Sequence, residues 1–232
     1  MRPNRREFLE GVTAGAVLAG LGVAMPGTLN ATALPLAGDP DAGTDQDQQW
    51  DLSWVGKVTG SHKAVFDSID LEDGAGIFRA MVWRKQYAQV LGAKAEDLSS
   101  VLVIRHEAIP LAMNQDFWDR YKIGKKHKVK DFFTEKHTSL NPGLPRPAGV
   151  QVPPMFADFH LPGYQAAGGI VLACNLAFAG CVSTVAKADK LDNAEARKRA
   201  LTMLVPGVTL QPSGVFATIR AQQAGCAYIK AS

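Results

Sequence analysis

The fold class of this chain is decided by one stretch, Gly168-Gly169-Ile170-Val171-Leu172-Ala173-Cys174-Asn175-Leu176-Ala177. The run from Ile170 to Ala173 is short and wholly apolar, which predicts a strand buried on both faces, as in the middle of a parallel sheet. Cys174 falls where that strand should end, and the small residues after it are typical of a helix. Ligands of open α/β sheets gather outside the carboxyl ends of the strands. The pattern therefore places Cys174 where such a fold does its chemistry.

Apolar runs and helical patterns alternate along the chain on both sides of this stretch. The patterns predict further strands over 63–69, 101–104, 208–212 and 227–230. They predict helices over 75–91, 111–121, 154–167 with a break at Pro162-Gly163, 176–188, 193–205 and 215–224. An alternation of this kind indicates a doubly wound, mainly parallel five-stranded sheet with right-handed crossovers and helices on both faces.

Length and composition exclude several classes of protein. The 232 residues suffice for one domain with a substantial core and a leader, and the apolar and charged fractions are those of a globular protein. The formal net charge of +3 is too small for a nucleic-acid-binding surface. Three cysteines allow at most one internal disulfide, so the chain is not a disulfide scaffold.

The N-terminal segment has the anatomy of an export signal. Paired arginines at Arg5-Arg6 precede Phe8-Leu9, a weakly apolar run over 11–25 and the small-x-small site Ala31-Thr32-Ala33. This order resembles a twin-arginine signal, so residues 1–33 are predicted to be a signal peptide and the product to be periplasmic or secreted. The alternative is an uncleaved N-terminal anchor, although the apolar run is short for a membrane span.

One polar segment precedes the predicted domain, which covers 61–232, and another lies within it. Residues 34–60 are predicted to be a polar tether because 35–49 are rich in Pro, Gly, Asp and Gln, and Trp50 and Trp54 end it by packing on the domain. A long loop is expected between 122 and 154, with an exposed basic run at 125–130 and the turn Asn141-Pro142-Gly143. Asn141 is a candidate binding residue of this loop.

Several motifs of the domain resemble the DsrE/DsrF-like family of small sulfur-relay proteins. They are Val101-Leu102-Val103-Ile104-Arg105-His106 with Ala108-Ile109-Pro110-Leu111-Ala112, then Val171-Leu172-Ala173-Cys174, then Gly207-Val208, and finally Gln222-Gln223-Ala224-Gly225-Cys226-Ala227-Tyr228. The resemblance implies a flavodoxin-like sheet, a homo- or hetero-oligomer and a cysteine that carries sulfur as a persulfide, matched in position by Cys174. The predicted export and the long loop depart from the family, whose relay partners are cytoplasmic.

Cys174 has two interpretations. A thiol between a strand end and a helix start meets the helix dipole and free backbone N–H groups, which favour the reactive thiolate. The alternative is a small buried hydrophobe, since free cysteine is among the most buried residue types. Cys181 is expected in the core because its neighbours are apolar, and it lies too far along the same helix for a disulfide with Cys174.

His106 and Arg105 end their strand as Cys174 ends its own. In a doubly wound sheet the three side chains can share one crevice, with His106 as the base of a Cys–His pair and Arg105 holding an anion such as sulfite or thiosulfate. The alternative for His106 is a hydrogen bond to a loop carbonyl. Asn175 is a further candidate binding residue beside Cys174.

Two hypotheses of function follow, and neither requires a cofactor. The first is an exported DsrE-like protein that handles sulfur or thiol redox chemistry through Cys174, with a sulfur-containing small molecule or thiol protein as partner. The second is a non-catalytic periplasmic module that binds a small ligand or a protein. The histidine spacing does not match a zinc site, and a haem or metal held by His106, His160 and Cys174 is a weaker third option.

Overall fold

The computed structural model describes residues 50–150 and 152–232. The predicted signal over 1–33 and residues 34–49 of the predicted tether over 34–60 lie outside the described residues. Five strands pair in parallel throughout: β1 (His62–Ser68), β2 (Leu98–Ile104), β3 (Ile170–Cys174), β4 (Thr209–Gln211) and β5 (Ala227–Lys230). The predicted flavodoxin-like α/β fold, with helices on both faces of the sheet, is thereby confirmed. The spatial order of the strands is β4-β3-β2-β1-β5, which differs from the 2-1-3-4-5 order of flavodoxin itself.

Seven α-helices occur in the described part of the chain: α1 (Ala75–Leu91), α2 (Gln115–Arg120), α3 (Ile123–His127), α4 (Leu161–Ala166), α5 (Asn175–Asp189), α6 (Asn193–Thr202) and α7 (Gly214–Gln223). Helix α1 has the predicted bounds, and it ends at Gly92, whose φ of 66° is left-handed and favours glycine. None of the helices in the described ranges is both long enough and apolar enough to cross a bilayer.

The side chains of the sheet alternate between two faces and build two cores. Phe66, Leu102 and Ile104 belong to the larger core, which α1 and α5 cover, with Ile77 and Phe178 among the covering residues. The smaller core lies under α7 and under the 3₁₀ turn Ser53–Lys57, and its members include Val65, Val103, Leu172 and Trp54. Both faces of the central strands are therefore buried from solvent, as the apolar runs predict.

The connections that follow β3 and β4 run on opposite faces of the sheet. After β3 the chain enters α5 on the face of the larger core, whereas after β4 it enters α7 on the opposite face. The α7 crossover then carries the chain across the sheet to β5, beside β1. A crevice opens where neighbouring strands send their connections to opposite faces. Cys174, at the end of β3, therefore lies at this switch point.

The predicted helix over 111–121 is wrong in its first half. A 3₁₀ segment runs from His106 to Ala112 and contains Pro110, which has no N–H to donate to an α-helix. Helix α2 starts only at Gln115, where the Asn114 side chain accepts a hydrogen bond from the backbone N–H of Phe117 at 3.0 Å. The N-cap therefore sets the start of this helix.

The predicted helix over 154–167 is also divided differently. A 3₁₀ turn spans Pro154–Phe156, and α4 begins at Leu161, so Pro162 lies in the first turn rather than at a break. Proline is tolerated there because its missing N–H has no partner in a first turn. The Nδ1 atom of His160 caps α4 by accepting a hydrogen bond from the N–H of Gly163 at 2.9 Å.

The expected loop over 122–154 has more structure than the sequence indicates. Helix α3 occupies its start, so part of the basic run is helical, although the lysines at 125, 126, 128 and 130 are exposed as expected. Lys130 pairs with His137 in an isolated antiparallel bridge. Five phenylalanine rings from this region and α1 pack together at centroid distances of 4.6 to 5.7 Å, namely Phe78, Phe132, Phe133, Phe156 and Phe159.

Candidate functional site

A row of polar side chains crosses the carboxyl edge of the sheet on the α7 face. Asp67 of β1 is in register with Val103 of β2, and Val103 is in register with Leu172 of β3. Val103 and Leu172 both belong to the core under α7. Because strand side chains alternate, Arg105 and Cys174, two residues further along, share this face.

Asp67 and Arg105 form a bidentate ion pair at the centre of this row. The side chain of Asp67 is 2% exposed and that of Arg105 is 25% exposed. Asp67 also accepts a hydrogen bond from the Tyr228 hydroxyl at 2.9 Å. The hydrogen bond with Asp67 is the largest cause of a raised Arg105 pKa, and weaker charge interactions with Tyr228 and Cys174 act in the same direction. Asp67 therefore fixes the position of Arg105 and keeps it positively charged, and Arg105 is close enough to Cys174 to interact with it electrostatically.

The start of α7 lies directly against Arg105. A Cβ atom added to Gly214 would come within 2.4 Å of the Arg105 Cδ and 2.6 Å of its Cβ. Only glycine allows the helix to approach so closely. The Ser213 hydroxyl caps α7 by accepting a hydrogen bond from the N–H of Phe216 at 3.0 Å. The positive end of the α7 dipole therefore adds to the charge of Arg105.

Cys174 caps the start of α5. Its Sγ accepts a hydrogen bond from the N–H of Ala177 at 3.4 Å, and the residue is 6% exposed. The thiol therefore lies at the positive end of a fifteen-residue helix, as predicted from the sequence. The sulfur therefore takes the place of the oxygen of a usual N-cap residue.

His106 stands beside these residues in an unusual backbone conformation. Its φ is 52°, in the left-handed region that non-glycine residues seldom adopt, and the residue is exposed. Strain of this kind clusters at functional sites. Within residues 50–150 and 152–232, no hydrogen bond joins the His106 ring to Cys174 or to a loop carbonyl. The expected Cys–His pair thus shares a cleft but is not joined by a hydrogen bond in the described structure.

One open cleft joins these groups. Its volume is about 510 Å³, and its walls come from the residues that follow β2, from the end of β3 with the start of α5, and from the start of α7. The residues that line it are Arg105, His106, Glu107, Cys174, Leu176, Ala177, Gly180, Ser213, Gly214 and Val215. The structure therefore brings together three of the predicted site residues at the switch point, namely Arg105, His106 and Cys174.

The two predicted asparagines lie outside this cleft. The Asn175 side chain accepts a hydrogen bond from Arg197 of α6 at 2.9 Å. Asn141 is buried and holds the long loop in place: its Nδ2 donates to the carbonyls of Leu111 and Met113, and its Oδ1 accepts from the N–H of Gly143. Asn141 therefore has a structural role in this conformation.

The remaining cysteines are buried free thiols. Cys181 packs in the larger core, where burial raises its pKa to about 12. Cys226 packs under α7, and burial raises its pKa as well. Both thiols are therefore protonated and unreactive at neutral pH.

The expected metal option finds no geometric support. Among the described residues, no group of three or more His, Cys, Asp or Glu side chains could hold a metal ion. His160 lines a separate small cavity in the phenylalanine cluster, whereas His106 and Cys174 line the cleft. Burial lowers the pKa of His160, so its capping nitrogen stays neutral.

Sequence reasoning missed Asp67, Tyr228, Ser213 and Gly214. The alternation of β1 carried a signal for Asp67, because a charged residue two positions beyond the buried Val65 shares its face. A Ser-Gly pair at the start of a predicted helix is likewise an N-cap signal for Ser213.

No family model, curated protein or solved structure matches this chain.

Proposed function

We propose that this chain is an exported, DsrE-like protein that accepts and carries sulfane sulfur on Cys174. The observation that carries the proposal is the position of the thiol. Its Sγ caps α5 and lines the same cleft as the Arg105 guanidinium and the start of α7. A nucleophilic sulfur and a set of anion-binding groups are thus adjacent, which suits a donor that bears both sulfur and negative charge.

The transfer step can be written with thiosulfate as the donor. The Cys174 thiolate attacks the outer sulfur of thiosulfate, a bond forms between Sγ and that sulfur, and the bond from that sulfur to the sulfonate sulfur breaks. The electron pair of the broken bond leaves with sulfite, and the cysteine is left as a persulfide anion. The charge is the same before and after, and no external oxidant or reductant is required.

Arg105, His106 and the start of α7 each have a role in this step. The third guanidinium nitrogen of Arg105, Nη1, makes no hydrogen bond within the described ranges, since Asp67 takes Nε and Nη2. It is free to bind a sulfonate oxygen, together with the N–H groups at the start of α7. His106 accepts the thiol proton, directly or through one water molecule, as Cys174 becomes a thiolate.

The proposal is tested by intact mass after incubation with thiosulfate. We expect a gain of about 32 Da, one sulfur atom, that maps to the Cys174 peptide and disappears on reduction. Cys174→Ser, which retains a capping oxygen, should abolish the adduct, and Cys226→Ser should retain it. An unmodified wild-type protein, or an adduct that persists in Cys174→Ser, contradicts the proposal.

A binding module without chemistry is the second candidate, and the rim of the cleft favours it. Leu176 and Val215 stand on opposite sides of the opening and are 65% and 58% exposed. Large exposed apolar side chains at a cleft mark contact with a ligand or partner. In this case Cys174 packs and caps without reacting. Slow alkylation of all three native cysteines at neutral pH would select this candidate over sulfur transfer.

The export and assembly of the protein are also proposals. The paired arginines Arg5-Arg6 predict transport in the folded state and a periplasmic or secreted product. Cell fractionation of wild type and of the Arg5→Lys/Arg6→Lys variant tests this, because the variant should stay in the cytoplasm. Light scattering of the exported product tests the expected homo-oligomer.

A further inference from the structure

The cleft beside Cys174 continues along α5 as a longer groove. It shares His106, Glu107, Ala177 and Gly180 with a neighbouring cavity of about 200 Å³. That cavity in turn shares Lys126, Gly180 and Thr184 with a third depression of about 440 Å³. Because the three spaces have common walls, they form one continuous channel on the surface, which we call the α5 groove.

The groove exists because one side of α5 carries small residues. Ala177, Gly180 and Thr184 follow one another at helical spacing and form the floor. A Cβ atom added to Gly180 would meet nothing within 4 Å, so open space lies above the helix at this point. The opposite wall is apolar and comes from the 3₁₀ segment after β2 and from α2 and α3, with Ile109, Pro110, Phe117 and Ile123.

The far end of the groove is positively charged. Lys126 and Lys187 line it and supply the charge, whereas burial lowers the pKa of the neighbouring His127. Glu107 is the acidic residue among the described residues that line the groove. Neither the Lys126 nor the Lys187 side chain forms a hydrogen bond or ion pair with any residue in the described ranges. Lys126 and His127 belong to the basic run over 125–130, and both line the channel that leads to Cys174.

The length of the groove limits what it can hold. Thr184 lies ten positions after Cys174 and Lys187 lies thirteen positions after it, which corresponds to about 15 to 20 Å at 1.5 Å per residue. An extended peptide spans about 3.3 Å per residue, so the groove accommodates roughly four to six residues. Thiosulfate would occupy only the end beside Arg105 and would leave the basic end without a ligand.

We infer, on the basis of the proposed function, that the sulfur donor is the persulfide of a short acidic peptide thiol. Its body lies in the α5 groove, its carboxylates contact Lys126 and Lys187, and its sulfur reaches Cys174. The Cys174 thiolate attacks the terminal sulfur of the persulfide, a bond forms between Sγ and that sulfur, and the S–S bond of the donor breaks. The peptide leaves as a thiolate with the electron pair, and the transferred sulfur keeps its proton.

Binding of an unreactive probe separates this inference from the chemistry. S-methylglutathione is an acidic tripeptide whose sulfur is methylated, so it cannot donate sulfur. We expect titration calorimetry to detect its binding to the exported protein, purified as the cell produces it, and to the Cys174→Ser variant. Loss of the negative charges in the dimethyl ester of the probe should weaken binding about tenfold or more.

Two lysines of α3 provide a matched pair of variants. Lys126→Glu should weaken probe binding about tenfold or more, because the charge that faces the groove is reversed. Lys125→Glu makes the same change on the same helix but borders a different depression, with Gly124 and Lys128. It should change binding less than about twofold, as expected for an exposed charge outside the site.

Gly180→Leu places a larger side chain in the open space above α5 and should abolish binding, while circular dichroism checks that the variant is folded. Absence of probe binding to wild type at millimolar concentration, or equal effects of Lys126→Glu and Lys125→Glu, overturns the inference. A thiosulfate adduct on Cys174 would still support the proposed function in that event. Groove-dependent binding of the probe without any adduct on Cys174 would support an acidic-peptide site in the α5 groove and contradict its role as a sulfur donor.

Discussion

Arg105 donates two parallel hydrogen bonds to Asp67, from Nε to Oδ1 at 2.7 Å and from Nη2 to Oδ2 at 2.8 Å. The two residues end neighbouring strands, and the carboxylate is buried while the guanidinium reaches the cleft. A buried carboxylate requires such a partner, because its removal from water costs several kcal/mol. The pair therefore holds Arg105 against the start of α7 and beside Cys174.

Loss of the buried charge should destabilise the protein. We expect Asp67→Asn to lower the free energy of unfolding by about 2 kcal/mol, less than the ~3–5 kcal/mol of a fully buried pair because Arg105 remains partly hydrated. Urea denaturation measures the change. Glu72→Gln breaks the exposed Arg79–Glu72 pair and should cost less than about 1 kcal/mol. Equal losses in the two variants would show that Asp67 has no special role.

Arg105 should make Cys174 selective for anionic reagents. Arg105→Met is expected to slow alkylation by iodoacetate roughly three- to tenfold more than alkylation by iodoacetamide, since only the first reagent is charged. Quenched time courses followed by peptide mass spectrometry give both rates. Arg220→Met removes a cation from the exposed side of α7 and serves as control. An unchanged ratio of rates in Arg105→Met would argue against an anion site.

Two glycines at helices should respond oppositely to alanine. Gly214→Ala is expected to cost about 1–3 kcal/mol, because its Cβ would overlap the root of the Arg105 side chain, which cannot swing away. Gly180→Ala should stabilise α5 by about 0.5–1 kcal/mol, because it adds helix propensity in open space. Thermal unfolding of both variants tests the pair. A neutral Gly214→Ala would mean that α7 does not press on Arg105 in solution.

Stability should fall at alkaline pH through Cys181. Its pKa is raised from an ordinary 9.0 to about 12 in the folded protein, so the unfolded chain releases this proton first. The contribution of the protonated Cys181 thiol to the free energy of unfolding is complete below about pH 9. It is lost between pH 9 and 12, at up to about 1.4 kcal/mol per pH unit.

The variant Cys181→Ala should reduce this alkaline slope, whatever its effect on stability at pH 7. Denaturant midpoints measured from pH 7 to 11 give the slope. Ser183→Ala, on the same helix but without a titrating group, should leave it unchanged. If Cys181→Ala and wild type lose stability in parallel above pH 9, the thiol does not ionise on unfolding in this range.

Local sequence patterns predicted most of the strands and helices. Helix α1 and strand β5 have the predicted bounds, since a glycine end signal and a short apolar run are local features. The predictions went wrong where proline and N-caps compete with apolar periodicity, at Pro110 with Asn114 and at His160 with Pro162. There the capping side chain decides where the helix starts.

The sequence by itself determined that a buried strand ends at Cys174 and that Arg105 and His106 directly follow the end of another. These facts depend on runs of a few residues and on the preference of each run for a strand or a helix. Only the tertiary structure decided which groups face the thiol. Tyr228 lies 161 positions from its partner Asp67, and Gly214 meets Arg105 because α7 crosses to the other face after β4. Strand order and helix approach depend on the packing of distant segments, and no local pattern encodes them.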